Sequence, residues 1–343
     1  MISIIAFTAN GCSLAEKVAR FLGDECKTFS KTKADHGGTI PIEGSLAEWT
    51  RDAMAVSEAV IFISATGVAV RSIAPYLKDK ITDPAVICMD DTGKFVISLL
   101  SGHVGGANRM AVRIAASVGG IPVVTTATDV HGKFAVDEFA VTNGMRFNNK
   151  AVAKEISARL LDGGVVGFKT DYPYLKELPD GVEMRESGDL GILISSRYNP
   201  LLPFDKTLVL APRNYILGIG CKKNTPYEVM KDLVDRVLKD NKISHDSISV
   251  IASIDLKKDE PAIKELGKYL KAPLVFYTSD ELNSLEDIGF SSSEFVKSIT
   301  DVDCVCERSA VMASPKGKLI CRKTAENGVT VAIVKDIFEV RFG

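Results

Sequence analysis

Apolar residues in this chain fall into short continuous runs, separated by longer stretches in which they recur every third or fourth position. The runs predict buried strands, and the spaced stretches predict amphipathic helices. In the first third this reading gives strands at residues 2–7, 59–63, 86–89, 95–100 and 121–124. It gives helices at 13–22, 46–57, 68–73 and 106–118. The third helix is expected to stop or kink before Pro75, which has no N–H to donate. Asp90-Asp91-Thr92-Gly93 has the composition of a tight turn, so strands 86–89 and 95–100 are expected to pair as an antiparallel hairpin. The middle of the chain predicts one long helix, 148–161, and short strands at 165–168, 191–194 and 207–210. The last third predicts strands at 215–219, 248–254, 274–276, 304–305 and 330–334, with helices at 226–239 and 260–270.

Strands alternate with helices almost throughout, which is the pattern of an α/β fold. The expected architecture is two α/β domains with mainly parallel sheets, joined by a smaller middle α/β segment. The boundaries are set at 1–132, 133–212 and 213–343 by the Pro-, Gly- and Asp-rich loops of the middle segment. A length of 343 residues accommodates this division, because each part can bury its own core.

Composition narrows the function classes. A net charge of -2 gives no reason to expect a nucleic-acid partner. No apolar run approaches the roughly 18 residues that span a bilayer, so no membrane partner is expected. The N-terminal residues 1–7 lack a basic leader and read as a first strand. Seven scattered cysteines, an odd number, suit free thiols in a reducing compartment and hence the cytoplasm.

The densest candidate chemistry is Ser101-Gly102-His103-Val104-Gly105-Gly106-Ala107-Asn108, between a predicted strand and a predicted helix. Glycines let backbone approach a ligand closely, and a helix start leaves N–H groups that favour an anion. His103 in its midst is suited to proton transfer near neutral pH. The bland alternative is a glycine-rich turn whose histidine only caps or packs. Ser64-Ala65-Thr66-Gly67 also follows a strand, and Arg71 is read near that helix start, the unfavourable end for a cation. An anionic ligand would relieve this, and the bland alternative is a solvated Arg71. Thr125-Thr126-Ala127-Thr128-Asp129 follows a further strand and offers hydroxyls and a carboxylate. These strand-end turns are expected to gather on one sheet edge, where ligands of open α/β sheets bind. Gly218-Ile219-Gly220-Cys221 ends the first strand of the last third, but lacks the third glycine of a dinucleotide fingerprint. Cys221 is a conceivable nucleophile but is expected to be a packed, inert thiol. The four histidines show no ligand spacing, and Cys304-Val305-Cys306 read as strand would send its sulfurs to opposite faces. No protein metal is therefore expected.

Three of these segments resemble the CbiG family of anaerobic cobalamin biosynthesis, in order and spacing. They are Ala65-Thr66-Gly67-Val68-Ala69-Val70-Arg71, the stretch from Ile97 through Ser101 to Asn108, and Thr125-Thr126-Ala127-Thr128-Asp129. In the last third, Leu217-Gly218-Ile219-Gly220-Cys221, residues 252–260, Glu307 with Ser309-Ala310-Val311, and residues 329–333 look like the family's C-terminal region. The resemblance implies opening of the δ-lactone of a ring-contracted cobalt corrinoid, with loss of the extruded carbon and its methyl as acetaldehyde. It implies a small-molecule cobalt corrinoid as substrate and neighbouring cobalamin-pathway enzymes as partners. Cobalt belongs to the substrate, so no separate cofactor is expected. His103 and Asp129 are the implied catalytic residues. Thr66, Gly67, Arg71, Ser101, Gly102, Gly105, Gly106, Ala107, Asn108, Thr126, Thr128, Gly218, Gly220, Cys221 and Glu307 are the implied substrate contacts. Glu307 also remains a candidate base, and the Gly105, Gly106 and Ala107 amides are candidate oxyanion donors. Two rival readings share these motifs. One is a corrinoid methyltransferase, disfavoured because no nucleotide-binding glycine loop follows the first strand. The other is a non-catalytic corrinoid or tetrapyrrole-binding protein of the same pathway.

Overall fold

Runs of five or six apolar residues are too short for stable helices, and in the computed structural model of this chain they pair edge to edge instead. The structure describes all residues except 24, 35, 80, 81, 103, 104, 127–131, 148, 176, 287 and 343, and the side chain of residue 295. The chain divides into two compact units, Met1–Glu138 and Phe139–Gly343.

The first unit contains β1 (Ile2–Ala6), α1 (Ala9–Leu22), β2 (Cys26–Ser30), β3 (Ile40–Pro41), α2 (Leu46–Val56), β4 (Ala59–Ile63), α3 (Thr66–Ile73), β5 (Ala85–Met89), β6 (Phe95–Leu100), α4 (Ala107–Val118) and β7 (Ile121–Val123). Its seven-stranded sheet runs β3-β2-β1-β4-β5-β6-β7. The two faces bury different residues, as the period of two along a strand demands. Ile4, Ile61 and Ile87 pack against Val18 of α1 and Ile114 of α4. Ile5, Phe62 and Val86 pack against Met54 of α2 and Ile73 of α3 on the other face. Local chemistry sets the helix starts. Thr8 caps α1 by accepting from Gly11 N–H, and Ser45 with Glu48 forms a reciprocal cap on α2. The hairpin read from sequence is present, with β5 and β6 antiparallel. β6 and β7 are parallel to each other, so both run opposite to β1, β4 and β5.

The chain leaves the first unit through α5 (Val136–Thr142). The second unit has one sheet of β8 (Met145–Arg146), β9 (Val166–Thr170), β11 (Val182–Met184), β12 (Gly188–Ile194) and β13 (Phe204–Pro212), in the order β11-β9-β12-β13-β8. Helix α6 (Lys150–Leu161) buries Ile156 and Leu160, and β10 (Tyr174–Leu175) pairs with the terminal β19 (Val340–Arg341). A second five-stranded sheet has the order β16-β15-β14-β18-β17. Its strands are β14 (Tyr215–Cys221), β15 (Ile248–Ile254), β16 (Leu274–Tyr277), β17 (Lys318–Glu326) and β18 (Val329–Lys335). Helices α7 (Tyr227–Asp240) and α8 (Pro261–Tyr269) cover one face through Met230, Val234, Ile263 and Leu266. Two short helices, α9 (Ser279–Asn283) and α10 (Glu294–Thr300), precede α11 (Val305–Ala313), which covers the other face through Ala310.

Residues 304–305 are not the strand expected from sequence. Cys304 is the N-cap of α11, and Val305 begins the helix. The β-favouring Cys-Val-Cys run yields to tertiary packing, because the small residues that follow fit closely onto the sheet.

The β5–β6 turn depends on one side chain. The Asp90 carboxylate accepts from the backbone N–H of Thr92, Lys94 and Phe95 and from the Thr92 hydroxyl. Burial alone would raise its pKa, but these hydrogen bonds outweigh burial and hold it at about 2. A depressed folded pKa gives stability that is complete above the ordinary value of 3.8 and lost as pH falls through about 2. Acid titration followed by Trp49 fluorescence should show loss of stability in this window, and Asp90→Asn should flatten it. An identical profile for the variant would assign the acid sensitivity to other carboxylates.

Candidate functional site

The antiparallel turn between β5 and β6 decides where the sequence motifs of the first unit lie. Residues 64–67 follow the carboxyl end of β4, whereas residues 101–108 follow β6, which runs the other way. Leu100 therefore pairs with Val86, near the start of β5. The end of β7 lies on that same edge. The expectation that all three motifs gather on one edge is corrected. Thr66 and Gly67 are separated from the glycine-rich loop by the length of a five-residue strand, roughly 16 Å.

Arg71 also needs correction. Helix α3 starts at Thr66, and Arg71 lies in its last turn, the end that favours a cation. Its side chain leans back along the helix, and a guanidinium nitrogen lies 3.5 Å from where a Cβ on Gly67 would stand. Thr66, Gly67 and Arg71 are all exposed.

The glycine-rich loop is knitted to the end of β7. Asn108, buried on α4, accepts from Ser98 Oγ at 2.6 Å and donates to Thr126 Oγ1 at 3.0 Å. Ser101 has a left-handed φ of 56° and donates its hydroxyl to Asp83 O at 3.0 Å. Gly102 lies against the Asn108 amide and Gly105 against Ser101. Gly106, with φ 78°, is the N-cap of α4 and turns the chain into the helix. The Ala107 N–H donates to Ser101 O at 3.2 Å and the Asn108 N–H to Gly102 O at 3.0 Å. The Ala107 amide is therefore occupied and does not serve as an oxyanion donor. His103, Thr128 and Asp129 lie outside the described residues.

In the second unit the carboxyl ends of β14, β15 and β17 meet the first turn of α11 around a pocket of about 530 Å³. Gly220, Cys221, Ile254, Val305 and Val329 supply wall. Lys222, Lys223, Lys257 and Lys323 also line it. The acidic residue among the lining side chains, Glu326, is already paired with Arg236. This arrangement suits an apolar ligand that carries negative charge. Burial pushes the Cys221 thiol up to about 11, and nearby Lys257 offsets this only in part. Cys221 is thus a protonated wall residue at neutral pH and a poor nucleophile.

Cys304 and Cys306 face each other with sulfurs 3.8 Å apart, rather than pointing to opposite faces. The hydrogen bond from Cys306 holds the Cys304 thiol below its ordinary value and pushes Cys306 well above it. Gly218 does not face a ligand. A Cβ there would lie 1.7 Å from the Cys306 carbonyl oxygen, so the residue exists to admit α11. Glu307 is fully buried and accepts from Ser291 N–H and Oγ at 2.8 Å and from Lys323 N–H at 2.7 Å. Burial would raise its pKa, but these bonds and Arg322 hold it below the ordinary carboxylate range. Its oxygens are committed to the protein, so neither a substrate contact nor a base is assigned to Glu307. The pocket lysines and the thiol pair were missed in the sequence. The available signal was Lys222-Lys223 directly after a strand-ending Gly-x-Gly-Cys.

Among the described residues, no group of three or more His, Cys, Asp or Glu side chains could hold a metal ion. No helix there is long and apolar enough to cross a membrane.

Three family descriptions match successive parts of the chain. Cobalamin synthesis G N-terminal matches residues 48–129, cobalamin biosynthesis central region matches 134–212, and cobalamin synthesis G C-terminus matches 215–334. The chain is 33% identical to the cobalt-precorrin-5A hydrolase of Salmonella typhimurium over 344 residues, 97% of each chain. It is 26% identical to the cobalt-precorrin-5A hydrolase of Priestia megaterium over 96% of this chain and 94% of that one. A protein named CobE from Sinorhizobium sp. is 29% identical over 34% of this chain and 77% of its own length.

Glu307→Ala should destabilise the second unit by about 2–5 kcal/mol, because it strands buried N–H donors. Thermal melts by circular dichroism would measure this. A variant with unchanged stability but lost ligand binding would return Glu307 to the ligand side.

Proposed function

The chain belongs to the CbiG family, and on that premise we propose that it is a cobalt-precorrin-5A hydrolase of anaerobic cobalamin biosynthesis. It opens the δ-lactone of cobalt-precorrin-5A and releases acetaldehyde to give cobalt-precorrin-5B. The observation that carries this reading is the end-to-end likeness to the Salmonella hydrolase, 33% over 97% of both chains.

The substrate is a flat apolar macrocycle ringed by carboxylates. The pocket of the second unit suits a carboxylate-bearing edge of such a ligand, since its walls are apolar and lysines line it. Lactone opening requires a base to take a proton from water and donors to hold the carbonyl oxyanion. We assign the base to His103, with Asp129 as the alternative, and the donors to the N–H groups of Gly105 and Gly106. The alcohol freed by lactone opening then gives up its hydroxyl proton as the carbon–carbon bond breaks. Acetaldehyde departs, and the electron-poor macrocycle takes the electron pair and a proton. Cobalt belongs to the substrate, and the chain's own residues need no further cofactor. The seven free thiols support a reducing, cytoplasmic setting. Neighbouring enzymes of the same pathway are the expected partners.

The test is acetaldehyde release from the lactone by the purified chain. Binding of lactone without acetaldehyde release would favour a non-catalytic corrinoid-binding protein. His103→Ala should lower turnover by about two to four orders of magnitude, the range for a lost general base. Near-normal release by that variant would move the role to Asp129. Exhaustive chelation of the enzyme before substrate is added should leave the rate unchanged, and a rate restored only by added zinc or iron would refute metal independence.

A further inference from the structure

We infer that Lys257 is the residue of the second-unit pocket that reads a ligand carboxylate, and that Glu260 is a place-holding counter-ion displaced from that role by the ligand. This rests on the pocket being the macrocycle's site.

Lysines differ within the pocket: two are exposed, Lys257 and Lys323 are partly buried, and of these two Lys257 is the one whose ammonium has a carboxylate within ion-pair distance among the described residues. Lys222 and Lys223 are exposed, so their ammonium groups stay hydrated without a partner. Lys257 sits on the turn after β15 with a side chain only 17% exposed. A partly buried cation gains most from a close, well-bonded partner. Among the described residues its one charged partner is Glu260, at 4.0 Å, the outer limit of an ion pair and too long for a hydrogen bond. The partner is itself poorly satisfied. Glu260 is 7% exposed, it makes no cap bond to α8, and its Oε1 has no hydrogen-bond partner among the described residues.

A structural ion pair in the same unit looks different. Arg308 grips Asp303 with two bonds, of 2.6 and 3.1 Å, and has further partners. The Lys257–Glu260 pair lacks that closure. Lys257 lines the pocket, and Glu260 stands behind it, so the loose pair reaches the pocket through its cation. A carboxylate entering there would give Lys257 the close hydrogen bond that Glu260 does not. Glu260 would then oppose the ligand, because its charge competes for the same ammonium.

The arrangement predicts opposite signs for the two partners. Binding to the full chain is measured for cobyrinic acid, whose periphery is carboxylates, and for cobinamide, whose periphery is amides. Lys257→Met should weaken cobyrinic acid by about 10- to 100-fold, as for a charge-assisted hydrogen bond. It should leave cobinamide within about twofold, since the stem is kept. Lys257→Arg should retain most of the preference for the acid. Glu260→Gln should tighten cobyrinic acid and leave cobinamide unchanged. Equal loss for both probes in Lys257→Met, or weaker acid binding in Glu260→Gln, would overturn the inference. Wild-type chain that binds both probes alike overturns it alone. Wild-type chain that binds neither overturns the pocket reading with it, while acetaldehyde release continues to test the reaction separately.

Discussion

The chemistry of the second unit depends on how closely one helix approaches one strand. Gly218 of β14 lies so near the first turn of α11 that a methyl group would overlap the Cys306 carbonyl oxygen. Ser309 donates to Ala252 O at 3.2 Å and Ala310 is fully buried, so small side chains keep the helix low along its length. This contact fixes three other features. It brings the helix start to the carboxyl edge of β14 and β15, where the pocket forms. It turns Cys304 toward Cys306 at the cap. It buries Glu307, whose carboxylate then ties residue 291 and β17 to the helix. An anionic side chain in the first turn is also the favourable sign for a helix N-terminus.

In the first unit the deciding constraint is strand direction. A four-residue turn closed by Asp90 sends β6 back against β5, and β7 follows β6. The glycine-rich loop therefore packs at the start of β5, with Ser101 bonded to Asp83. Asn108 holds this loop to Thr126, so two motifs distant in sequence form one surface. The 64–67 turn stays on the opposite edge.

Much of this fold was legible in the sequence because it is local. Strands such as 59–63 and 86–89 are continuous apolar runs, and the 90–93 turn announces its hairpin. What the hairpin does to the motifs was equally available, since reversing one strand moves its end to the other edge. β2 was missed because Cys26–Ser30 mixes polar with apolar residues and only its last position is fully buried. Residues 304–306 were misread because three β-favouring residues cannot be told from a helix start without the packing of Ser309 and Ala310. Gly218 and Glu307 stand in motifs that suggest ligand contact. Their demands, close approach in one case and bond saturation in the other, are tertiary. A lysine after a strand looks solvated in sequence. Partial burial beside Glu260 at the pocket is what changes the meaning of Lys257.

A chain of net charge -2 can still favour a polyanion, because binding responds to local potential. Four lysines converge on one pocket while its Glu326 is neutralised by Arg236. Beyond about a Debye length the remaining surface charge is screened, so net charge contributes little to affinity at the wall. Apolar lining works in the same direction. It removes water that would otherwise weaken each ammonium–carboxylate contact, and it packs the ligand's apolar faces. The lysines need not all be equivalent for this to work. Exposed ones draw an anion in and are readily replaced, whereas a half-buried one carries geometric preference. Selectivity for a carboxylate at one position on a ring bearing several then follows from which partly buried lysine has a loosely held counter-ion. In this pocket that distinction falls on Lys257.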